Sequence, residues 1–120
     1  MNDYTVLIAE DDEFIRECYK VLIERMEPSW HVHAYTTAEE AMEYTGSVNC
    51  VITDYDMGAG MSGLDFAYAL ADRRIPVFLV SGSIDKQADF RQAEHEGVIK
   101  QFVPKPVRTR TLIDLIRQQL

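Results

Sequence analysis

Apolar positions along the chain come in two kinds of run that take turns. Nearly unbroken runs occupy Tyr4–Ala9, Cys50–Thr53, Ile75–Val80 and Ile99–Val103, and an alternating run covers Trp30–Tyr35. Such runs read as strands, and the unbroken ones as strands buried on both faces. Between them apolar residues recur at helical spacing: Ile15, Cys18, Tyr19, Leu22 and Met26; Leu64, Ala67, Tyr68 and Ala71; Leu112, Ile113, Ile116 and Leu120. Each set is the inward stripe of a helix. The first helix runs to about Met26 and is stopped by Pro28. The second extends through Tyr44 behind Thr36 or Thr37 as N-cap, with Glu39 and Glu40 in its first turn. The third spans Gly63 to about Arg73. A polar fourth helix, Asp85–Glu96, is ended by Gly97, and the last covers Thr109–Leu120. Five strands strictly alternating with five helices predict an α/β fold, a doubly wound five-stranded parallel sheet with helices on both faces.

With 120 residues, 47% of them hydrophobic, the chain suits a single folded domain over 1–120, with no linker, repeat or low-complexity segment. Its net charge of −8 repels a phosphate backbone and argues against direct nucleic-acid binding, while favouring cationic partners or metal ions. Cys18 and Cys50 form no C-x-x-C pair and are expected to be reduced core residues of a cytoplasmic protein. The N-terminal "MNDYTVLIAEDDEF" lacks the basic start of a signal peptide, and no apolar stretch is long enough to span a bilayer.

In an open α/β sheet, ligands gather at the carboxyl ends of the strands. There the sequence places Glu10, Asp11 and Asp12 after the first strand, and Asp54 and Asp56 after the third. Ser81 and Gly82 follow the fourth, and Pro104, Lys105 and Pro106 the fifth. Clustered carboxylates need a cation, and Mg²⁺ accepts a few oxygen ligands while leaving room for water and phosphate. A lysine and a hydroxyl in the same place suit phosphoryl transfer to an aspartate. A lone acid at a strand end is more simply a helix N-cap. The combination on these particular strands is what points to chemistry.

"VLIAEDDEFIRE", "VITDYDM", "LVSGS" and "FVPKP" together resemble the receiver domains of response regulators in two-component signalling, over the whole chain. The resemblance implies a flavodoxin-like (βα)₅ fold with strand order 2-1-3-4-5. It implies phosphorylation of Asp54 by a sensor histidine kinase or a histidine phosphotransfer protein, with Mg²⁺ (or Mn²⁺) required. Lys105, before Pro106 with an expected cis bond, fits the residue that contacts the phosphoryl group. Ser81 fits the switch hydroxyl and Phe102 the switch aromatic, expected to be biased inward. Asp56 fits the metal ligand acting through its backbone carbonyl. Placing Arg16 on the family's arginine makes Glu10 and Asp11 the metal acids, with Asp11 direct and Glu10 acting through water. Asp12 is then an N-cap, or the metal acid in the alternative register. Output would pass through the fourth helix, fifth strand and fifth helix, near Gln101, Arg108 and Arg110, to a partner or output domain. Such a protein catalyses its own phosphorylation and dephosphorylation without multiple turnover.

The segment after Asp54 departs from the family pattern. "DYDMGAGMSG" lacks the usual proline and carries one extra residue before Gly63, so Gly58 and Gly60 should loosen the loop. Ser81 replaces the commoner threonine. His31 and His33 share a strand face without a third ligand nearby and read as surface. Two rival readings exist. "VITDYDMG" also fits a haloacid-dehalogenase-type phosphatase using Asp54 and Asp56, but that class places its metal acids last. A receiver-like scaffold that is never phosphorylated would not need Asp54, Asp11 and Lys105 together.

Overall fold

The computed structural model describes residues 3–120. Strands β1 (Tyr4–Ala9), β2 (Trp30–Tyr35), β3 (Cys50–Asp54), β4 (Val77–Ser81) and β5 (Gln101–Pro104) alternate with helices α1 (Glu13–Met26), α2 (Ala38–Met42), α3 (Gly63–Ala69), α4 (Gln87–His95) and α5 (Thr109–Arg117). All neighbouring strands are parallel, in the order β2-β1-β3-β4-β5. The chain winds outward from β1 to β2 and then crosses back to β3. The carboxyl ends of β1 and β3 therefore flank the switch point, where a crevice opens.

Side chains on a strand point alternately to opposite faces, and the two cores follow that rule. Val6 and Ile8 of β1 join Ile52, Phe78 and Val80 under α1 and α5. Leu7 and Ala9 join Val51, Val77 and Leu79 under α2, α3 and α4. Phe66, Phe78 and Phe90 are among the largest fully buried side chains. Each contributes on the order of 2–3 kcal/mol through removal from water. No helix among the described residues is long and apolar enough to cross a membrane.

Element ends differ from the sequence expectation for local reasons. The N–H groups of Val98 and Ile99 both go to the Ala93 carbonyl at the end of α4, so β5 starts at Gln101 rather than Ile99. Strand β4 starts at Val77, just after Pro76, which has no N–H to give, and runs on to Ser81. Helix α2 stops at Met42, short of Tyr44, whose ring stacks on His33 with centroids 4.5 Å apart. After α3 a 3₁₀ turn covers Ala71–Arg73 and closes on Arg74 in the left-handed region, φ 57°. Thr37, not Thr36, caps α2, in a capping box with Glu40.

Four inward assignments are corrected. Cys18 is exposed and only Cys50 is buried, because the stripe that α1 turns inward centres on Tyr19 and Ile23. Tyr68 and Ala71 are also exposed, since α3 buries Phe66 and Ala67. Leu120 lies past the end of α5 and is 71% exposed.

Candidate functional site

Glu10 follows β1 and is fixed from both sides. Its N–H donates to the Tyr35 carbonyl at 3.0 Å, and its own carbonyl accepts from Arg16 Nη1 at 2.9 Å. Its side chain is 1% exposed, and the Asp12 N–H donates to Oε2 at 3.1 Å. Asp54 ends β3 and is also buried. Lys105 Nζ lies 3.2 Å from Asp54 Oδ1 and 3.6 Å from Glu10 Oε1. Carboxylate oxygens of Glu10, Asp11 and Asp54 all lie within 4.8 Å of one another. Asp12 stands apart from that group: its Oδ1 accepts the Ile15 N–H at 3.0 Å and caps α1.

Ser81 ends β4 and is buried. Its Oγ accepts the Ser83 N–H at 2.9 Å, and its carbonyl accepts the Lys105 N–H at 2.9 Å. The β4 and β5 ends are thereby fastened together behind Lys105. The Lys105–Pro106 peptide bond is cis, as expected.

Burial pushes the Glu10 carboxyl up to about 7, with the Asp12 N–H working against the shift and the Asp54 charge adding to it. Burial also raises Asp54, opposed by the Lys105 ammonium. Lys105 is pulled down by burial, but Asp54 and Glu10 win and hold it above its ordinary value. Glu10 Oε1 is buried and has no hydrogen-bond donor. One ammonium thus faces three acids with an oxygen to spare. That donor set fits a hard divalent cation, which takes carboxylate oxygens and keeps water in its other positions.

The segment after Asp54 is tied down, contrary to the looseness expected from its glycines. Met57 is buried, and the Gly58 N–H donates to Asp56 Oδ1 at 3.2 Å. The Met61 N–H donates to Glu39 Oε2 of α2 at 2.7 Å. Ser62 and Asp65 form a capping box on α3. The Gly63 N–H donates to the Tyr55 carbonyl at 2.8 Å, and a Cβ on Gly63 would run into the Asp54 carbonyl oxygen. Asp56 itself is exposed.

Phe102 is half-buried, with its ring centroid 4.8 Å from that of Phe90. Phe90 in turn meets the Tyr55 ring edge-on at 5.1 Å. The Phe102 N–H, on the outer edge of β5, donates to Glu94 Oε2 at 2.6 Å. Arg108 and Arg110 border a different feature, an apolar groove with Phe14, Cys18 and Leu22 of α1 that reaches Lys105.

All the acids singled out from the sequence except Asp12 and the exposed Asp56 side chain are brought together with Lys105. Sequence reasoning missed Glu39 and Glu94 as partners of main-chain N–H groups. Glu39 contacts a residue 22 positions away and Glu94 one 8 positions away, and no short-range spacing announces either. Arg16 served only to set the register, although its grip on the Glu10 carbonyl holds the acidic turn.

An open parallel sheet in this order, with acids and a lysine at its switch point, defines the CheY-like class of flavodoxin-type folds. The chain belongs to the response regulator receiver domain family, whose model matches residues 6–117. No curated protein matches it by sequence. Among solved structures it is similar to an uncharacterized protein from Neptuniibacter caesariensis, 28% identical, TM-score 0.82, covering 96% of this chain and 85% of that one. It is also similar to a response regulator receiver domain protein from Clostridium thermocellum, at 23% identity, TM-score 0.83 and coverage of 96% and 92%. TrrA from Thermotoga maritima, solved in complex with Mg²⁺-BeF, is 22% identical, TM-score 0.77, with coverage of 98% and 99%.

Proposed function

We propose that this single receiver unit accepts a phosphoryl group on Asp54 from a phosphohistidine of a sensor histidine kinase or phosphotransfer protein. The observation that carries the reading is Lys105 Nζ at 3.2 Å from Asp54, beside Glu10 and Asp11. An Asp54 oxygen attacks phosphorus and forms a P–O bond as the donor's N–P bond breaks. The electron pair stays on the leaving imidazole nitrogen, which takes a proton from solvent. Glu10, Asp11, Asp54 and the Asp56 carbonyl are the residues that would hold Mg²⁺ or Mn²⁺, which supplies positive charge against the transferred oxygens. Lys105 neutralises one phosphoryl oxygen and works against the burial that raises the Asp54 carboxyl, favouring the ionised form that attacks. The Ser81 Oγ accepts from the Ser83 N–H through a lone pair, which leaves its O–H free to donate to another phosphoryl oxygen. The Mg²⁺-BeF complex of TrrA supports the cation assignment by likeness of fold.

The donor has to reach Asp54 over the surface around Lys105. We place it on the groove where Phe14 is 77% exposed, because that groove includes Lys105 itself. Output then leaves through α4, β5 and α5 to a downstream protein or output domain, in the cytoplasm, without direct contact to nucleic acid or membrane. The phosphatase reading gains no support, since the Asp56 carboxylate turns to the Gly58 N–H. The test is incubation with acetyl phosphate and Mg²⁺ followed by intact mass. One phosphate should be added to the wild type and none to Asp54→Asn; full labelling of Asp54→Asn overturns the assignment.

A further inference from the structure

The loop after Asp54 poses a physical problem. It must hold the Asp56 carbonyl still, yet Gly58 and Gly60 both adopt positive φ, 82° and 97°, and no proline stiffens it. Glycines give a loop the most freedom to lose. Its ends are fixed by buried Met57 and by the Gly63 N–H. Between them, apart from the Ser62 N–H that donates to Asp65 in the α3 capping box, the main-chain tether to another element among the described residues is the 2.7 Å bond from Met61 N–H to Glu39. Gly60 leaves the room for that bond: a Cβ there would stand 2.7 Å from Glu39 Oε2. Glu39 is set in place by the capping box that starts α2 with the neighbouring Thr37 and Glu40.

We propose that Glu39 and Gly60 work as a pair, with Glu39 a positioning residue that holds the inserted loop so that Asp56 presents its carbonyl to the cation. This rests on the phosphoryl-acceptor reading above. An acceptor from a neighbouring helix replaces the rigidity a proline would supply, and the extra residue brings the Met61 N–H to it. Glu39 touches neither phosphoryl group nor metal. It acts by narrowing the conformations from which the loop binds, so its loss lowers affinity in proportion to the competent fraction.

The experiment is Mg²⁺ titration of the full chain followed by amide NMR, on wild type, Glu39→Ala, Glu39→Gln and Gly60→Ala. Glu39→Ala should weaken Mg²⁺ by roughly tenfold, the low end for residues that hold metal ligands in place, and should move the Met61 amide resonance. Gly60→Ala should give the same defect with Glu39 intact. Glu39→Gln keeps an acceptor oxygen and should lie nearer wild type. Equal loss in Glu39→Gln and Glu39→Ala would mean that charge, not the tether, is what matters, and would overturn the proposal. So would wild-type affinity in Glu39→Ala. A wild type that binds no Mg²⁺ would instead overturn the acceptor reading on which this one stands.

Discussion

Phe102 stacks on Phe90 at 4.8 Å, and through Phe90 it is linked to Tyr55, the residue next to Asp54. The ring is therefore packed on α4 before any phosphate arrives. A phosphoryl group on Asp54 would shift an existing population rather than build a new state. Beryllofluoride with Mg²⁺ should shift amide resonances from Asp54 through Ser81 and Phe90 to Phe102 and α5. Shifts confined to the surroundings of Asp11 and Asp54 would mean that this coupling is absent. Phe102→Ala should leave labelling of Asp54 within about threefold of wild type while shrinking the distant shifts, because its ring lies off the transfer path.

Adjacent acids Asp11 and Asp12 should separate cleanly. Asp12 caps α1 through the Ile15 N–H, so Asp12→Ala should cost about 1 kcal/mol of stability with little change in Mg²⁺ affinity. Asp11 is exposed and belongs to the carboxylate cluster. Asp11→Ala should weaken Mg²⁺ at least about tenfold while leaving the melting temperature unchanged or raised, since it removes like-charge repulsion. Denaturant melts and metal titrations on both variants check this. The reverse pattern would move the register by one residue.

Stability without Mg²⁺ should rise as pH falls from about 8 toward 5. Glu10 holds its proton up to about 7 in the fold against 4.5 ordinarily, through burial. The folded state therefore binds more protons than the unfolded one in that interval, and stability falls as pH rises. Asp54 is raised as well and adds with the same sign. Lys105, also raised, loses its contribution only above its ordinary value of 10.5. The gain should be on the order of 2 kcal/mol, and saturating Mg²⁺ should flatten it. Thermal melts across pH with EDTA or Mg²⁺ would show it, and a flat EDTA curve would contradict the assignment.

Phe14 offers a way to separate donor docking from chemistry. It is 77% exposed on the α1 side of the groove that includes Lys105. Phe14→Ala should leave labelling by acetyl phosphate unchanged and slow transfer from a phosphorylated histidine donor by about tenfold or more, as loss of an aromatic anchor does. Equal rates from the protein donor would place docking elsewhere.

The parallel sheet was legible because buried parallel strands must be almost wholly apolar, and chemistry at their ends stands out against that background; the strand order came only with the resemblance of those end motifs to receiver domains. Asp54 and Lys105 are conspicuous for this reason. Burial on helices was harder to read. Cys18 lies at helical spacing from true core residues yet faces out, because a stripe drawn from spacing alone was one position too wide. The start of strand β5 was placed two residues early because Ile99 is buried by a turn rather than by pairing. Glu39 and Glu94 were illegible for another reason. Their partners are backbone N–H groups, which have no identity in the sequence.

The bond from the Phe102 N–H to Glu94 bears on how the molecule avoids its own kind. Strand β5 lies at the margin of the sheet, where outward main-chain donors invite another chain to add a strand. It is only four residues long, ends in Pro104 with no N–H, and has the Phe102 donor covered by a carboxylate. A foreign strand would have to displace a charged acceptor to reach the Phe102 N–H. That margin is thereby made a poor template for main-chain pairing, which favours contacts on that flank through side chains of the helices.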